Sequence, residues 1–505
     1  MRKIIIVPLD ERPCNYDFAK SMSREMPYQV IVPPKEYYGN KKIPGDTEKI
    51  IAWLEKEAID ADGIVVALDT ILYGGIVPSR LHHEELNTLI ERLDVLLRIK
   101  AVNPQILIYG YQLIMRNPAY SSSEEEPDYY EDYGREIHLY GIYQHKETHN
   151  IISKEEIVDF NRIKAILPKK YLTDYLKRRA INLQLNSQFL SLVSNDIVDF
   201  GIIPQDDASV YGFTALDQQK IRKLIEKNNL ELNVYMYPGA DEVTNTLLAK
   251  MILHFEQKKP RFFLKYSSEL SKTVIPLYED RPLAETIKYQ VLAAGGIIVE
   301  SLVDADLVLL INGPGVKMRE ASSILEVRTV EYDAFRNLVE FVEFADYVIQ
   351  KLKKPVIIAD VAYSNGGDLH LFKLLKQKQL LYRVAAYAGW NTSSNTLGTA
   401  IPQGIFAYLY PKRKANLDFL AHRYIEDVGY CTLVRKEVTK TLKEPYHYFY
   451  LDGKKGKTVK NIQEKLEEFI ALYLVENNKK PLIKEIYSPW NRMFEIGLKV
   501  ELNDN

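Results

Sequence analysis

The chain has 505 residues and a formal net charge of −2, so it carries no global field to draw nucleic acid or an anionic membrane, and neither is an expected partner. Hydrophobic residues make up 46% and charged residues 27%, which excludes extended disorder and leaves room for two or three domains of roughly 100–200 residues each. The only two cysteines, Cys14 and Cys431, exclude a disulfide framework or a zinc ribbon; with no signal segment and no long apolar stretch, the expected compartment is the reducing cytoplasm.

Residues 3–8 (KIIIVP) form a continuous apolar, β-branched run of the kind expected for a parallel strand buried on both faces. The run ends in LDERPCN, which sets Asp10 and Arg12 just past a strand's carboxyl end, where parallel α/β proteins contact ligands. An ion pair that pins the loop is an equally good reading of the two. A strand at 29–32 and an amphipathic helix at 46–58 follow. The pattern then repeats at 63–68 (GIVVAL), which stops at Asp69 and runs into TILYGGIVPSR, with Arg80 as a possible anion clamp. A helix at 84–101 leads to a strand at 106–113, and Arg116 lies just beyond it.

The rhythm breaks between 117 and 149, which reads as a long loop rich in Ser, Glu and Tyr. Its acidic run at 124–126 reads as solvated surface, and Tyr120, Tyr129, Tyr130 and Tyr133 are candidates to line a sugar site. Helical segments over 154–194 lead to DFGIIPQDDASVYG, where an apolar run delivers two adjacent carboxylates, Asp206 and Asp207. The bland reading is a polar turn; the functional one is a paired-carboxylate acid/base device. A helix at 216–227 and a strand at 232–237 end in PGADEV, so Asp241 and Glu242 repeat the device.

KKPR at 258–261 marks a boundary, after the helix at 245–256. Beyond it come a strand at 261–266, a helix through 294, a strand at 306–311 ending in NGPG, and a long helix through 352. A strand at 355–359 ends in DVAYSNGGD, and one at 382–386 ends in YAGWNTSSNTLG, opening a helix into 410. Asp360, Asn365, Trp390 and Asn391 thus sit at strand ends. Trp390 is either a stacking platform for a ligand or packing for its loop. GGDL and NTSSNTLG enter helices and can hold anions through backbone N–H groups or simply turn the chain. Neither GxxxxGK[ST] nor GxGxxG occurs, so a nucleotide site has no specific support.

Among nine histidines there is no HExxH, and Lys146 stands between His145 and His149 where a zincin would place Glu. No cofactor and no metal is expected, with an all-oxygen site for Mg²⁺ or Ca²⁺ from Asp10, Asp69, Asp206 and Asp360 as the open alternative. No GxSxG is present for a nucleophile elbow.

The motifs PLDERPCN, LDTILYGGIVPSR, PQDDASVYG, YPGADEV, EDRPL, DVAYSNGGDL and AGWNTSSNTLGTA together resemble, from Ile4 to about Tyr430, a bacterial domain-of-unknown-function family, number 4127. That resemblance implies no catalytic residue. The Asp206–Asp207 pair at the end of its strand is also similar to the pair in substrate-assisted N-acetylhexosaminidases. That similarity implies that Asp206 orients an acetamido group and Asp207 protonates the leaving oxygen.

The expected architecture is α/β, built of parallel βα units in two halves with ligand cleft at the strands' carboxyl ends. An N-terminal domain at 1–257 is doubly wound or barrel-like, a second α/β domain spans 258–425, and 426–505 is an extension without a readable motif. The leading expectation is a glycoside hydrolase acting on a small, sugar-like substrate, with Asp206, Asp207, Asp241 and Glu242 catalytic. Asp10, Arg12, Asp69, Arg116, Asp360, Asn365, Trp390 and Asn391 are the expected substrate contacts. The alternatives are a non-catalytic protein closing on a small polar ligand, or an Mg²⁺-dependent enzyme acting on a phosphorylated or carboxylated metabolite.

Overall fold

A computed structural model describes residues 1–323 and 329–504. The chain divides into two compact units. The first comprises Met1–Glu11, Tyr28–Thr244 and Tyr278–Asp280, and the second Arg12–Pro27, Asn245–Leu277 and the chain from Arg281 onward. The expected three-part division is corrected on two points. The main crossing falls after Thr244, and the last eighty residues are no separate extension. Val459, Ile462, Leu466, Met493 and Val500 share one core with Val308, Phe341 and Ile358, so the C-terminal segment completes the second unit's hydrophobic interior.

The first unit holds β1 (Arg2–Val7), β2 (Tyr28–Ile31), β3 (Gly63–Ala67), β4 (Leu107–Tyr111), β5 (Phe200–Ile202) and β6 (Val234–Tyr235). They form one all-parallel sheet in the order β2-β1-β3-β4-β5-β6. Its edges are β2 and β6, so the sheet is open, and the barrel alternative is set aside. The order reverses at β1, and right-handed crossovers therefore lay helices on both faces. All five residues of β3 are buried, as the unbroken apolar run foretold. Ile5, Val7, Ile64 and Val66 pack with Leu54, Leu89, Leu96 and Phe189 from those helices.

In the second unit, β7 (Arg261–Tyr266), β8 (Ile297–Ile298), β9 (Leu307–Asn312), β11 (Val356–Asp360) and β13 (Ala386–Ala388) make a parallel sheet in the order β13-β11-β9-β7-β8. β10 (Arg319–Glu320) pairs with β12 (Tyr363–Ser364), and β14 (Lys479–Tyr487) with β15 (Gly497–Asp504) as a hairpin. Counted along the chain, the five strands of this sheet lie in the spatial order 2-1-3-4-5, and so do the first five of the other. Both units therefore wind their sheets the same way, with a ligand crevice expected at the carboxyl ends.

Several local expectations are corrected. The segment read as a loop over 117–149 contains a helix, Tyr130–Thr148. Its inward face is Tyr130, Gly134, Ile137, Gly141 and His145, which packs against Ile163, Tyr175 and Phe213. A Cβ on Gly141 would come within 2.7 Å of the Phe213 ring, so the missing side chain is what lets that ring close in. The helix expected at 84–101 is two, Leu86–Leu93 and Val95–Val102. The last strand of the second sheet begins at Ala386 rather than 382. Of the long helix expected to end at 352, the part at 324–328 lies outside the described residues; Leu338–Tyr347 is helical and continues with wider turns through Leu352. No helix among the described residues is long and apolar enough to cross a membrane.

Candidate active site at the carboxyl edge of the first sheet

Past Tyr111, Gln112 and Ile114 still donate to Ile202 O and Pro204 O at 3.2 and 3.1 Å, and the other backbone groups of 113–116 must find partners elsewhere. The helix Lys169–Ser194 supplies them. Asn182 accepts from Met115 N–H at 3.2 Å and donates to Leu113 O at 3.1 Å. Arg179 Nη1 donates to Met115 O at 2.7 Å and to Arg116 O at 3.1 Å, and Tyr175 OH to Arg116 O at 2.8 Å. Arg179 is itself held by Asp217 at 2.7 Å. The irregular strand end is thereby fixed, and with it the position of Arg116.

On the neighbouring strand, pairing resumes at Gln205, which bridges Ile114 on one side and Pro238 on the other. Asp206 and Asp207 leave from this pinned point, Asp207 in the left-handed region with φ 43°, a conformation that Asp tolerates better than most residues.

Two guanidinium groups then tie four carboxylates together. Arg116 donates from Nε to Glu126 Oε1 at 2.7 Å, from Nη1 to Asp207 Oδ2 at 2.9 Å and from Nη2 to Glu125 Oε2 at 3.2 Å. Arg80 donates from Nη2 to Asp206 Oδ2 at 2.8 Å and from Nη1 to Glu125 and Glu126 at 3.2 and 3.3 Å. Asp206 Oδ2 also lies 3.7 Å from Arg116 Nη1, so one nitrogen serves both members of the pair. The Glu126 side chain is fully buried. Burial, and then Asp207 beside it, push the Asp206 carboxyl up to about 6 against the opposing pull of Arg116 and Arg80. Asp207 is raised too, chiefly by burial, with Arg116 pulling the other way. Four acids against two arginines leave the cluster anionic, and the raised Asp206 carboxyl takes up a proton as the pH falls toward 6.

Asp69, in the short helix Leu68–Tyr73, is buried and accepts from Leu113 N–H at 3.0 Å through Oδ2. Burial pushes its carboxyl up to about 7, and its Oδ1 has no hydrogen-bond partner among the described residues. The buried phenol of Tyr111 sits in the combined field of Asp69, Asp10 and Asp241, and Asp206 also senses Asp241. Five of the acids expected at strand ends thus gather at one edge: Asp10, Asp69, Asp206, Asp207 and Asp241. Glu242 is bonded within its own turn, where its Oε2 accepts from Ala240 N–H at 2.9 Å. Among the described residues no group of three or more His, Cys, Asp or Glu side chains is placed to hold a metal ion.

Sequence reasoning missed Glu125 and Glu126, read as solvated surface, and Gln112. The Gln112 carboxamide is buried directly after β4, and neither its Nε2 nor its Oε1 finds a partner among the described residues. An unpaired amide at this depth is costly without a ligand or water to satisfy it.

The remaining expected contacts lie in the second unit. Arg12 stacks on the Trp490 ring at 4.5 Å and lies 3.7 Å from Glu495. Asp360, at the end of β11, is saturated by protein donors: Asn312 Nδ2 at 2.8 Å, Asp368 N–H at 2.6 Å and Tyr387 OH at 2.8 Å. Burial pushes its carboxyl up to about 7. Trp390 packs edge-on against Phe18 and donates from Nε1 to Thr399 at 3.1 Å, which favours the packing reading. Asn365 N–H donates to Asn391 O at 2.8 Å, and both residues line a small recess with Trp390, Cys14, Cys431 and Arg435.

A family model described as "Protein of unknown function (DUF4127)" matches residues 4–499, nearly the whole chain. No curated protein matches it.

Proposed function

The chain belongs to the DUF4127 family, whose description names no activity, and on the chemistry of its first unit we propose that it is a hydrolase of glycosidic bonds with Asp206 and Asp207 as the working pair. The observation that carries the reading is a pair of adjacent buried carboxyls, both raised by burial and Asp206 to about 6, each against its own guanidinium: Arg80 lies 2.8 Å from Asp206 and Arg116 2.9 Å from Asp207. Glycoside cleavage needs one protonated acid and one anionic partner, and adjacent carboxyls in a desolvated, arginine-bearing site divide in that way. The roles are the reverse of those implied by the hexosaminidase similarity: Asp206, the carboxyl raised to about 6, donates its proton to the leaving oxygen as the anomeric C–O bond breaks. Asp207, as the carboxylate beside Arg116, stabilises the positive charge that develops on the sugar. Water then adds to the anomeric carbon and returns its proton to a carboxylate. The unpaired carboxamide of Gln112 and Oδ1 of Asp69 are suited to sugar hydroxyls, which donate and accept at once. An excess of acids over arginines disfavours a phosphorylated or carboxylated group at this cluster. Assay of wild type, D206N and D207N against a panel of aryl glycosides, N-acetylhexosaminides included, tests the reading. It fails if wild type cleaves none of them, or if folded D206N cleaves as fast as wild type.

A further inference from the structure

The insert that supplies Glu125 and Glu126 continues into the wall of a separate groove. Pro127, Asp128 and Tyr129 face Leu81, His83, Lys170, Tyr171 and Arg178 across a volume of about 460 Å³, within the usual range of about 300–1,000 Å³ for small-molecule sites. The groove adjoins the carboxylate cluster covalently on both walls, since Pro127 follows Glu126 and Leu81 follows Arg80.

Its construction is rigid on one side and unsatisfied on the other. Tyr129 and Tyr171 stack with centroids 4.7 Å apart and planes 18° from parallel. Tyr129 OH donates to Asp174 Oδ2 at 2.8 Å. Arg178 bonds the same carboxylate and donates to the carbonyls of Arg80 and His82, both at 3.1 Å, which locks the plate to the chain beside the cluster. Lys42 is neutralised by Asp128 at 3.0 Å. Lys170 is different: its ammonium lies 4.7 Å from the Tyr171 centroid, and it pairs with no carboxylate among the described residues. His83 is exposed and likewise has no hydrogen-bond or ionic partner among them. An aromatic plate flanked by an unpaired ammonium and an imidazole is a receptor for a ring that carries negative charge.

We propose that this groove binds an anionic saccharide, a sugar residue bearing a carboxylate or a sulfate, with the sugar face on the tyrosine plate and the acid on Lys170 and His83. As the subsite beside the bond to be cleaved it rests on the glycosidase reading; as a binding site it does not. The neutral linkage then lies toward the Asp206 cluster, which is anionic, and the charged ring in the basic groove. The two regions divide one substrate by charge.

Calorimetric titration of the full-length D206N protein, which separates binding from turnover, tests this with three probes: trigalacturonate, sucrose octasulfate and neutral maltotriose. At least one acidic probe binds about tenfold or more tighter than maltotriose, and the preferred one identifies carboxylate or sulfate as the group recognised. K170E, an exposed change, and Y171A each lower that affinity by about tenfold or more while the far-ultraviolet spectrum and Tm stay those of the parent. Equal affinity for acidic and neutral probes, no binding of either, or unchanged affinity in folded K170E overturns the proposal. Selective binding together with no cleavage of the aryl-glycoside panel by wild type upholds the groove and overturns the glycosidase reading alone.

Discussion

Arg116 donates from Nη1 to Asp207 Oδ2 at 2.9 Å, and that contact sets the character of the acidic edge of the first sheet. The same guanidinium also carries Glu125 and Glu126, so its loss strands buried carboxylates rather than a single ion pair. Removing one partner of a buried charge pair costs about 3–5 kcal/mol. R116M is expected to lose stability on that scale in denaturant unfolding at about pH 7, and less at about pH 5, where the acids can take up protons. A loss below about 1 kcal/mol at both values would mean that the acids are solvated rather than dependent on Arg116.

Asp69 makes stability fall with rising pH. Its carboxyl is raised from 3.8 to about 7 by burial, so over that window the folded chain holds a proton that the unfolded chain has released. Unfolding therefore becomes easier as pH climbs through the window. D69N cannot ionise and escapes this. Its stability relative to wild type is expected to improve between about pH 5 and about pH 8 in guanidinium titrations. His82, held down to about 4 by burial, shifts stability the opposite way. It is common to both proteins and cancels in the difference. A difference that does not change with pH contradicts the assignment.

Gly239 is kept free of a side chain by Glu242. It has φ 144°, and a Cβ there would meet Glu242 Oε1 at 1.9 Å. G239A is expected to cost about 1–3 kcal/mol from the strained backbone, with the clash in addition. In an E242A background the clash is gone, so the same change should cost measurably less. A double-mutant cycle by thermal unfolding reads this coupling, and strict additivity would remove the clash from the explanation.

Tyr387 serves Asp360 in the second unit. Its hydroxyl donates to Asp360 Oδ2 at 2.8 Å in a fully buried network with Asn312 and Asp368. Y387F is expected to destabilise by about 1–3 kcal/mol, because it leaves a buried acceptor short of a donor. It should leave the first unit's ligand affinity unchanged. A weakened affinity would assign Asp360 a part in binding after all.

The strand-end acids were legible because parallel strands buried on both faces read as unbroken apolar runs, and each run stops where the backbone leaves the core. The helix Tyr130–Thr148 was not, since its buried face is made of tyrosine, glycine and histidine, with a single isoleucine. β13 was misplaced because the run before it carries Leu380, Leu381, Tyr382 and Val384, all buried, and only Arg383 interrupts it. Glu125 and Glu126 were illegible for a deeper reason. A run of three acids is ordinarily solvated, and what makes these two different is Arg80, 45 residues from Glu125, and Arg116, ten from Glu126. Only the fold brings those four together. The sheet's open edge has the same origin, because no local pattern reports which strands remain unpaired.

The dependence of cleavage on the leaving group tests the role of Asp206 most directly. Rates for wild type and D206N are compared on aryl glycosides whose phenols run from strongly to weakly acidic. If Asp206 supplies the proton, D206N loses about 10²–10⁴-fold on substrates with poor leaving groups and little on activated dinitrophenyl glycosides, which depart without protonation. A loss of equal size across the whole series, or no loss at all, contradicts Asp206 as the acid.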